Sequence, residues 1–527
     1  PAMIYLLHLV LVGSVAPPEV LFSDEPIFGV DYPTHYGQAL AMSEALEKFG
    51  RTWTYDPSML AGYPAGLFFD ADNKGHALFT HGLYRLGVPR AHAFNLFVLL
   101  WHLLAPLCVW LAARLLGSSA RARTMSLALA VLLWHFDSAA RWYWSAGMIS
   151  FVAASCLSLV IVALFWRLIQ ASASPGHQGL RFWWPLLLLL PLALLIHAWA
   201  FAILAVPLLG IYLQATLSRR LSAAGHARVW ALAAAALMAN LFWLLPALRH
   251  MDLMAASGRG GQASPLTLIT DLMGIFVDPL IGGVIPTLTF FRFAAMGAAF
   301  FTLRELWRER DARLFGVGLA LGWPLTIAYL FAMIPGLRET EPYRFNFPAS
   351  LWAAVVAGPW LAHTLRASTW RRLPPRTRQA VGLLLLLLLP WVGRQVLYFY
   401  PEAMAEPEGA RVPATARLHP KPLWPESRYR PFRHEATPLE FKQIARYIQQ
   451  ECKEPGRVLV EFWVLGEYLR WATKRPIIGG FPDRRSVHQE ANIFRHLPDP
   501  RHQGTVLANY LMRYNNRYMV VTVPHAA

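Results

Sequence analysis

The sequence predicts an α-helical polytopic membrane protein of about eleven transmembrane helices, with a small α/β domain at its C-terminal end outside the membrane. Three observations predict it. About eleven apolar stretches lie between Ile4 and Tyr398. The gaps between them alternate in charge. One set is short and basic: Arg121/Arg123, Arg167/Arg181, Arg219/Arg220/Arg228, Arg304/Arg308/Arg310/Arg313 and Arg366/Arg371/Arg372/Arg376/Arg378. The other set holds nearly all the conspicuous Asp, Glu and Trp residues. Cytoplasmic loops collect Lys and Arg, so the basic set faces inward and the acidic set faces out. Beyond Tyr400 the chain turns Pro-rich and then alternates helical and strand-like runs.

Each element follows from this pattern. Residues 4–22 carry the chain out. The early run 4–15 is short for a span and follows Pro1, so the expectation is an uncleaved first helix whose start lies upstream. Residues 23–90 form a long outer loop with two amphipathic stretches, 37–49 and 76–86, which read as helices lying on the membrane. Spans follow at 91–116, 124–136 and 148–166. Residues 182–197 and 201–217 form a tight pair, and 229–248 exits into a second long outer loop, 249–284. Spans 285–303, 314–334, 347–365 and 380–397 complete a transmembrane module of residues 1–399. Residues 400–437 are a Pro-rich linker. Residues 438–527 form the soluble domain, with helices at 438–452, 465–473 and 504–514 and strands at 457–462 and 518–523. An inside start places that domain on the non-cytoplasmic side.

Composition excludes several classes. The 527 residues are 56% hydrophobic and only 15% charged, with 48 Lys+Arg against 31 Asp+Glu. The net charge of +17 sits largely in short inner loops, where it sets topology, so nucleic acid is not the partner. Cys108, Cys156 and Cys452 are far apart, which excludes a disulfide framework and a Cys zinc site. No dinucleotide fingerprint, phosphate-binding loop or nucleophile elbow is present. No inverted repeat argues for a transporter.

The first outer loop is the richest in chemistry. Asp24, Glu25 and Asp31 follow directly on a membrane helix. A partly desolvated carboxylate can act as a general base. His35 lies four residues after Asp31, on the same face if the piece is helical. Asp70-Ala-Asp72 spaces two carboxylates as a hard divalent cation would need, against a solvated turn. His102, His135 and His197 lie in or near spans. For His102 and His135 a hydrogen bond to a neighbouring helix is the expected role. Arg141-Trp-Tyr-Trp144 reads as an interfacial aromatic belt, with stacking on a sugar ring as the other reading for Trp142.

Asp31-Tyr-Pro-Thr-His35, the amphipathic helix after it and Gly62-Tyr-Pro64 resemble the GT-C superfamily, polytopic glycosyltransferases that use polyprenyl-phosphate-linked sugars. The likeness is greatest to its bacterial, arabinofuranosyltransferase-like branch. His197-Ala-Trp199 at the outer turn of the tight pair is similar to a family turn. Glu341-Pro-Tyr-Arg-Phe345 resembles its acidic–Arg segment. Arg457-Val-Leu-Val460, Gly479-Gly480 and Tyr514-Asn-Asn-Arg-Tyr-Met-Val-Val521 look like its soluble C-terminal domain. The segment after Gly62-Tyr-Pro64 departs from the family, with Phe68-Phe-Asp-Ala-Asp72 in place of its aromatic and Pro residues.

The resemblance implies a glycosyltransferase of the bacterial inner membrane, acting on its periplasmic face. The donor is a sugar on a polyprenyl phosphate, the acceptor a glycan, lipid or protein. Asp31 is implied as the base, with Asp24 and Glu25 as rivals. Arg344 is implied for the leaving phosphate, with Arg338 and Arg141 as alternates. His35, Tyr63, Trp142, His197 and Glu341 are expected to line the pocket. The lipid-linked sugar is the donor, no cofactor is assigned, and whether Asp70 and Asp72 hold a divalent cation stays open. The other reading is a non-catalytic scaffold whose C-terminal domain docks a membrane-complex partner.

Overall fold

The computed structural model describes residues 1–67, 70–71, 73–172, 179–253, 265–276, 280–281, 285–286, 288–334, 337–372, 374–399, 433–481, 484 and 503–521. Helices occupy every predicted apolar stretch. α1 (Ala2–Val15) and the single turn α2 (Pro18–Leu21) replace one continuous span, because Pro17 and Pro18 cannot extend the first helix. The first long loop folds as α3 (Tyr32–Phe49), a hairpin of β1 (Thr54–Asp56) and β2 (Tyr63–Ala65), and α4 (Lys74–Arg85). Then come α5 (Arg90–Leu115), α6 (Ala120–Phe136), a short α7 (Ser138–Ala146) and α8 (Ile149–Ser172). α9 (Leu180–Ile196) and α10 (Ala200–Leu217) form the tight pair. α11 (Ala223–Met238) bends by 62° into α12 (Leu241–Arg249). Asn240 stabilises that break, with Nδ2 donating to Ala236 O at 2.8 Å and to Pro191 O at 3.1 Å.

Of the second long loop the described parts are α13 (Pro265–Met273) and a small hairpin, β3 (Leu280–Ile281) and β4 (Ile285–Pro286). α14 (Phe290–Arg308), α15 (Arg313–Leu330), α16 (Asn346–Thr364), α17 (Ala367–Arg372) and α18 (Pro375–Tyr398) follow. Among the described residues four helices are long and apolar enough to cross a membrane: Arg90–Leu115, Ile149–Ser172, Ala200–Leu217 and Arg313–Met333. The bent pair adds one if it is a single span.

α8 is the axis of the bundle, enclosed by α5, α9, α10 and α16, with its apolar window fully buried. Its serines return their hydroxyls to the helix, Ser155 to Phe151 O at 2.8 Å and Ser158 to Ser155 O at 2.6 Å, so no polar group is stranded there. α16 packs on α6 at Gly358, where a Cβ would lie 2.5 Å from Ala122 O. Small residues allow that backbone approach where no water drives association.

The C-terminal region contains α19 (Leu439–Gln450), β5 (Arg457–Val460), α20 (Trp463–Thr473), β6 (Ile477–Ile478), α21 (Gln503–Arg513) and β7 (Asn516–Val520). The strands form a parallel sheet in the order β6-β5-β7. A parallel strand is covered on both faces, which is why Arg457-Val-Leu-Val460 is nearly all apolar. The free edge of β6 is not left open. Ile477 N–H donates to Ser58 O at 2.8 Å, and Leu60 N–H donates to Ile477 O at 3.1 Å, so the first long loop extends the sheet.

Two expectations change for one reason. α3 does not lie on a membrane surface. Tyr32, Tyr36, Ala39 and Met42 are buried because α20 and α4 cover the helix. Arg141-Trp-Tyr-Trp144 is not a belt. It is a buried turn of α7, which starts where Asp137 accepts from Ala140 N–H at 3.0 Å. Trp144 Nε1 donates to Trp134 O at 3.2 Å, and the two indoles stack with centroids 6.3 Å apart.

The bundle and the C-terminal region are also joined by histidines. Trp134 Nε1 donates to His102 Nδ1 at 3.1 Å. That nitrogen therefore accepts, and the neutral ring carries its proton on Nε2, which donates to His434 Nε2 at 2.7 Å. His434 N–H donates to Val15 O at 2.8 Å. His135 meets His8 at 3.0 Å. Both spanning histidines thus bond neighbouring segments, as expected.

Candidate active site at the mouth of the bundle

Asp31 sits at the N-terminus of α3, and its carboxylate does not cap that helix. Its N–H donates to Ala146 O at 2.6 Å, and its carbonyl accepts from His35 N–H at 3.0 Å. The turn from α7 to α8 fits beneath it. Gly147 has φ +109, and a Cβ there would lie 3.0 Å from Asp31 Cβ and 2.8 Å from Tyr32 N. Glycine is the residue that permits both that φ and that approach. Tyr32 donates its hydroxyl to Trp144 O and fixes the other side. The position of Asp31 is thus set by backbone contacts, and its side chain is half-buried at the mouth.

The N-terminal turn of α8 gathers the rest. His76 is fully buried, with Nε2 donating to His35 O at 3.1 Å and Nδ1 paired with Ser150 Oγ at 3.2 Å. Burial, with His35 and Lys74 nearby, pushes its pKa down to about 3, so it is a neutral buttress. His35 shares a hydrogen bond of 3.0 Å between Nδ1 and Gln38 Oε1. Burial lowers its pKa, against opposing pulls from Gln38, Glu467 and Asp70. His35 and His76 lie edge to face at 5.3 Å. His197 closes the turn between α9 and α10. Its Nδ1 accepts from Trp199 N–H at 3.2 Å, and its ring meets Phe151 at 5.7 Å.

Arg344 lies over the same Phe151 ring at 5.5 Å, is ion-paired with Glu341, and is within electrostatic reach of His197 and Tyr143. Glu341 holds a left-handed backbone, φ +49, which turns the chain back into the mouth. His197 and Arg344 therefore meet at Phe151 in the first turn of α8, His35 connects to Ser150 of that turn through His76, Glu341 is held by Arg344, and Asp31 lies on the turn just before the helix.

A buried charge hub, missed in the sequence, sets the position of Arg344. Arg292 on α14 donates from Nε to Asp137 Oδ2 at 3.0 Å and from Nη2 to Asp137 Oδ1 at 2.9 Å. Its Nη1 donates to Asp271 Oδ2 at 3.3 Å. Asp271 also accepts from Tyr329 at 2.6 Å and Tyr343 at 2.8 Å. Tyr343 precedes Arg344 and accepts at its carbonyl from Tyr143 at 3.3 Å. A charged residue inside an apolar helix was the available signal. Its partners lie on other elements, so spacing could not name them.

The other candidates lie elsewhere. Asp24 is exposed. Glu25 pairs with Lys442 of α19 at 2.8 Å. Arg141 is buried in the bundle, donating to His135 O at 3.0 Å and lying over Trp144 at 5.3 Å. Trp142 is half-buried against the core. The backbone of Arg338 is a short 3₁₀ turn, and its side chain lies outside the described residues.

Tyr63 is completely buried beneath the C-terminal region. It donates to Asp70 at 3.3 Å, and Arg484 lies over its ring at 5.0 Å. Arg484 forms a two-pronged pair with Glu467, both fully buried, and Arg470 pairs with Asp56. Asp70 is no solvated turn. Its Oδ1 accepts from Gly66 N–H at 2.6 Å, and the ammonium of Lys74 donates to its carbonyl at 3.0 Å. Asp72 lies outside the described residues. Among the described residues no group of three or more His, Cys, Asp or Glu is placed to hold a metal.

No family model matches the sequence, and no curated protein matches it. Solved structures do. The chain is similar to the archaeal oligosaccharyltransferase AglB from Archaeoglobus fulgidus, solved with an inhibitory peptide and a dolichol-phosphate. The TM-score is 0.57 at 13% identity, over 98% of this chain and 69% of that one. An Archaeoglobus fulgidus oligosaccharyltransferase tethered to an acceptor peptide gives 0.58 at 12%, over 99% and 68%. ArnT from Cupriavidus metallidurans bound to undecaprenyl phosphate gives 0.51 at 17%, over 92% and 86%. At these identities the likeness is one of fold.

Proposed function

We propose that this chain, which has the GT-C fold, is a membrane glycosyltransferase that moves a sugar from a polyprenyl phosphate to an acceptor at the mouth of the bundle. The observation that carries the reading is the seating of Asp31 by the α7–α8 turn, with Arg344 and His197 around the next helical turn. A base held by backbone contacts keeps its geometry without substrate, and such preorganisation is where binding energy becomes rate. The AglB and ArnT structures hold dolichol-phosphate and undecaprenyl phosphate, which supports a polyprenyl phosphate as the donor class here.

In the proposed step Asp31 takes the proton of the acceptor hydroxyl. The acceptor oxygen bonds to the anomeric carbon as the bond from that carbon to the phosphate oxygen breaks. The electron pair leaves on the lipid phosphate, where Arg344 meets the developing charge with its planar fork of donors. Glu341 holds that guanidinium before the lipid arrives. His35 and His197 line the wall between base and cation. The basic loops at the opposite end support a mouth on the non-cytoplasmic face.

The test is transfer from synthetic polyprenyl-phosphate sugars, assayed in proteoliposomes with wild type and Asp31→Asn. The variant should lose transfer by at least about 10²-fold while unfolding as wild type does. Retained transfer in Asp31→Asn removes Asp31 as the base.

A further inference from the structure

The bundle has a second opening, at the end opposite the mouth. A cavity of about 350 Å³ lies where the α5–α6 turn, the last turns of α14 and α16 and the start of α15 meet. Its depth is apolar, formed by Val317, Val355, Val356 and Pro359. Its rim is charged and hydroxylated, with Ser118 and Ser119 on one side and Glu305, Glu309 and Arg366 on others.

The charges at the rim do not fit their surroundings. This end carries Arg114, Arg121, Arg123, Arg304, Arg308 and Arg310. Glu305, in the last turn of α14, and Glu309, the residue that ends it, stand one helical turn apart within that basic end, and both line the cavity at its exposed rim. Neither makes an ion pair among the described residues. The neighbouring Asp311, by contrast, is gripped by Arg313 at 2.7 Å. Arg313 also donates to Leu116 O at 3.2 Å, and Glu309 lies within its electrostatic reach without an ion pair forming, so its hydrogen bonds go to Asp311 and Leu116. Arg366 makes no ion pair among the described residues. Ser119 Oγ accepts from Ala122 N–H at 3.3 Å and keeps its own proton to donate.

The groups offered to a ligand are therefore two solvent-facing carboxylates on one wall, an arginine and hydroxyls on the others, and an apolar floor. A purely anionic lipid meets the carboxylates badly. A purely cationic one leaves the arginine unmet. A ligand with an ammonium, a phosphate and a hydrocarbon tail meets all three. An ammonium with N–H donors suits two carboxylates better than a fully methylated one. By the positive-inside rule the basic loops mark this as the cytoplasmic end, where a bilayer leaflet supplies such headgroups.

We propose that this cavity binds a zwitterionic aminophospholipid of the phosphatidylethanolamine class. Its ammonium lies between Glu305 and Glu309, its phosphate on Arg366 and the serine hydroxyls, and one acyl chain along Val317 and Val355.

The experiment uses the full chain, delipidated in detergent. Phosphatidylethanolamine, phosphatidylcholine or phosphatidylglycerol with matched acyl chains is then added. Retained lipid is read by native mass spectrometry and stability by scanning fluorimetry. Phosphatidylethanolamine should be retained in preference to the other two and should raise Tm more. In Glu305→Gln/Glu309→Gln that preference should vanish, while Tm in phosphatidylcholine stays at the wild-type value. Equal retention of the three lipids overturns the proposal, as does a preference that survives the double substitution. An equal Tm shift from glycerophosphoethanolamine without chains makes the ligand a free solute and overturns the lipid assignment.

Discussion

Replacing Arg292 by methionine removes the cation that Asp137 and Asp271 share. All three side chains are buried, with exposures of 0% for Arg292 and Asp271 and 2% for Asp137. Breaking a buried ion pair by deleting one partner costs about 3–5 kcal/mol, because the charge left behind stays desolvated. Here two charges are left, but not equally. Asp271 retains donors from Tyr329 and Tyr343, each worth about 1 kcal/mol net. Asp137 loses both arginine bonds and retains the N–H of Ala140. The larger penalty therefore falls on Asp137.

The order of variants follows. Arg292→Met should lose about 3–5 kcal/mol in chemical denaturation of the detergent-solubilised protein. Adding Asp137→Asn should recover about half of that loss or more, because the worst-placed charge is gone. Adding Asp271→Asn instead should recover less. A purely steric role for Arg292 predicts no recovery in either. Arg292→Met within about 0.5 kcal/mol of wild type would refute the hub as a stabilising element. Equal recovery in the two double variants would refute the assignment of the penalty to Asp137.

Two further outcomes are expected. Gly147→Ala forces a side chain at φ +109 against Asp31, for a backbone cost of about 1–2 kcal/mol. Its kcat should fall while KM for the donor holds, and unchanged kcat would detach Asp31 from the α7–α8 turn. At Asp56 burial favours the protonated form, but the Arg470 guanidinium and the Ser58 hydroxyl and N–H outweigh it and hold the carboxyl below its usual pKa. The stabilisation is therefore complete above the unfolded value of about 3.9 and fades as pH falls below it. Asp56→Asn should be about 2 kcal/mol less stable than wild type at pH 7. That gap should close toward pH 3 in denaturation measured across the range.

The spans were legible because each is a local property: an apolar run between a basic loop and an acidic one needs no knowledge of a partner. β5 and α19 were legible for the same reason, as a short run of Val and Leu and an amphipathic helix of twelve residues. What stayed hidden depends on contacts far apart in the chain. Arg470 and Asp56 are 414 residues apart, Arg292 and Asp137 155, and His434 and His102 332. Without α20 above it, α3 has the pattern of a surface helix. With α20 in place its apolar face has two neighbours, and Gly37 lies 3.4 Å, measured from where its Cβ would stand, from the guanidinium of Arg470.

The same contacts change what the first long loop is. Its stretch 58–60 extends the C-terminal sheet, its Asp56 and Tyr63 are held by Arg470 and Arg484, and its Asp31 rests on the bundle. The loop is the layer through which the C-terminal region is attached to the helices. A loop in that role cannot swing freely, because moving it breaks sheet hydrogen bonds and uncovers buried charge. Under the proposed function, Asp31 is therefore held from both sides before any substrate binds. Of the second long loop, α13 joins the same frame through Asp271, whose carboxylate accepts from Arg292, Tyr329 and Tyr343 and so ties that helix to α14, α15 and the segment that carries Arg344.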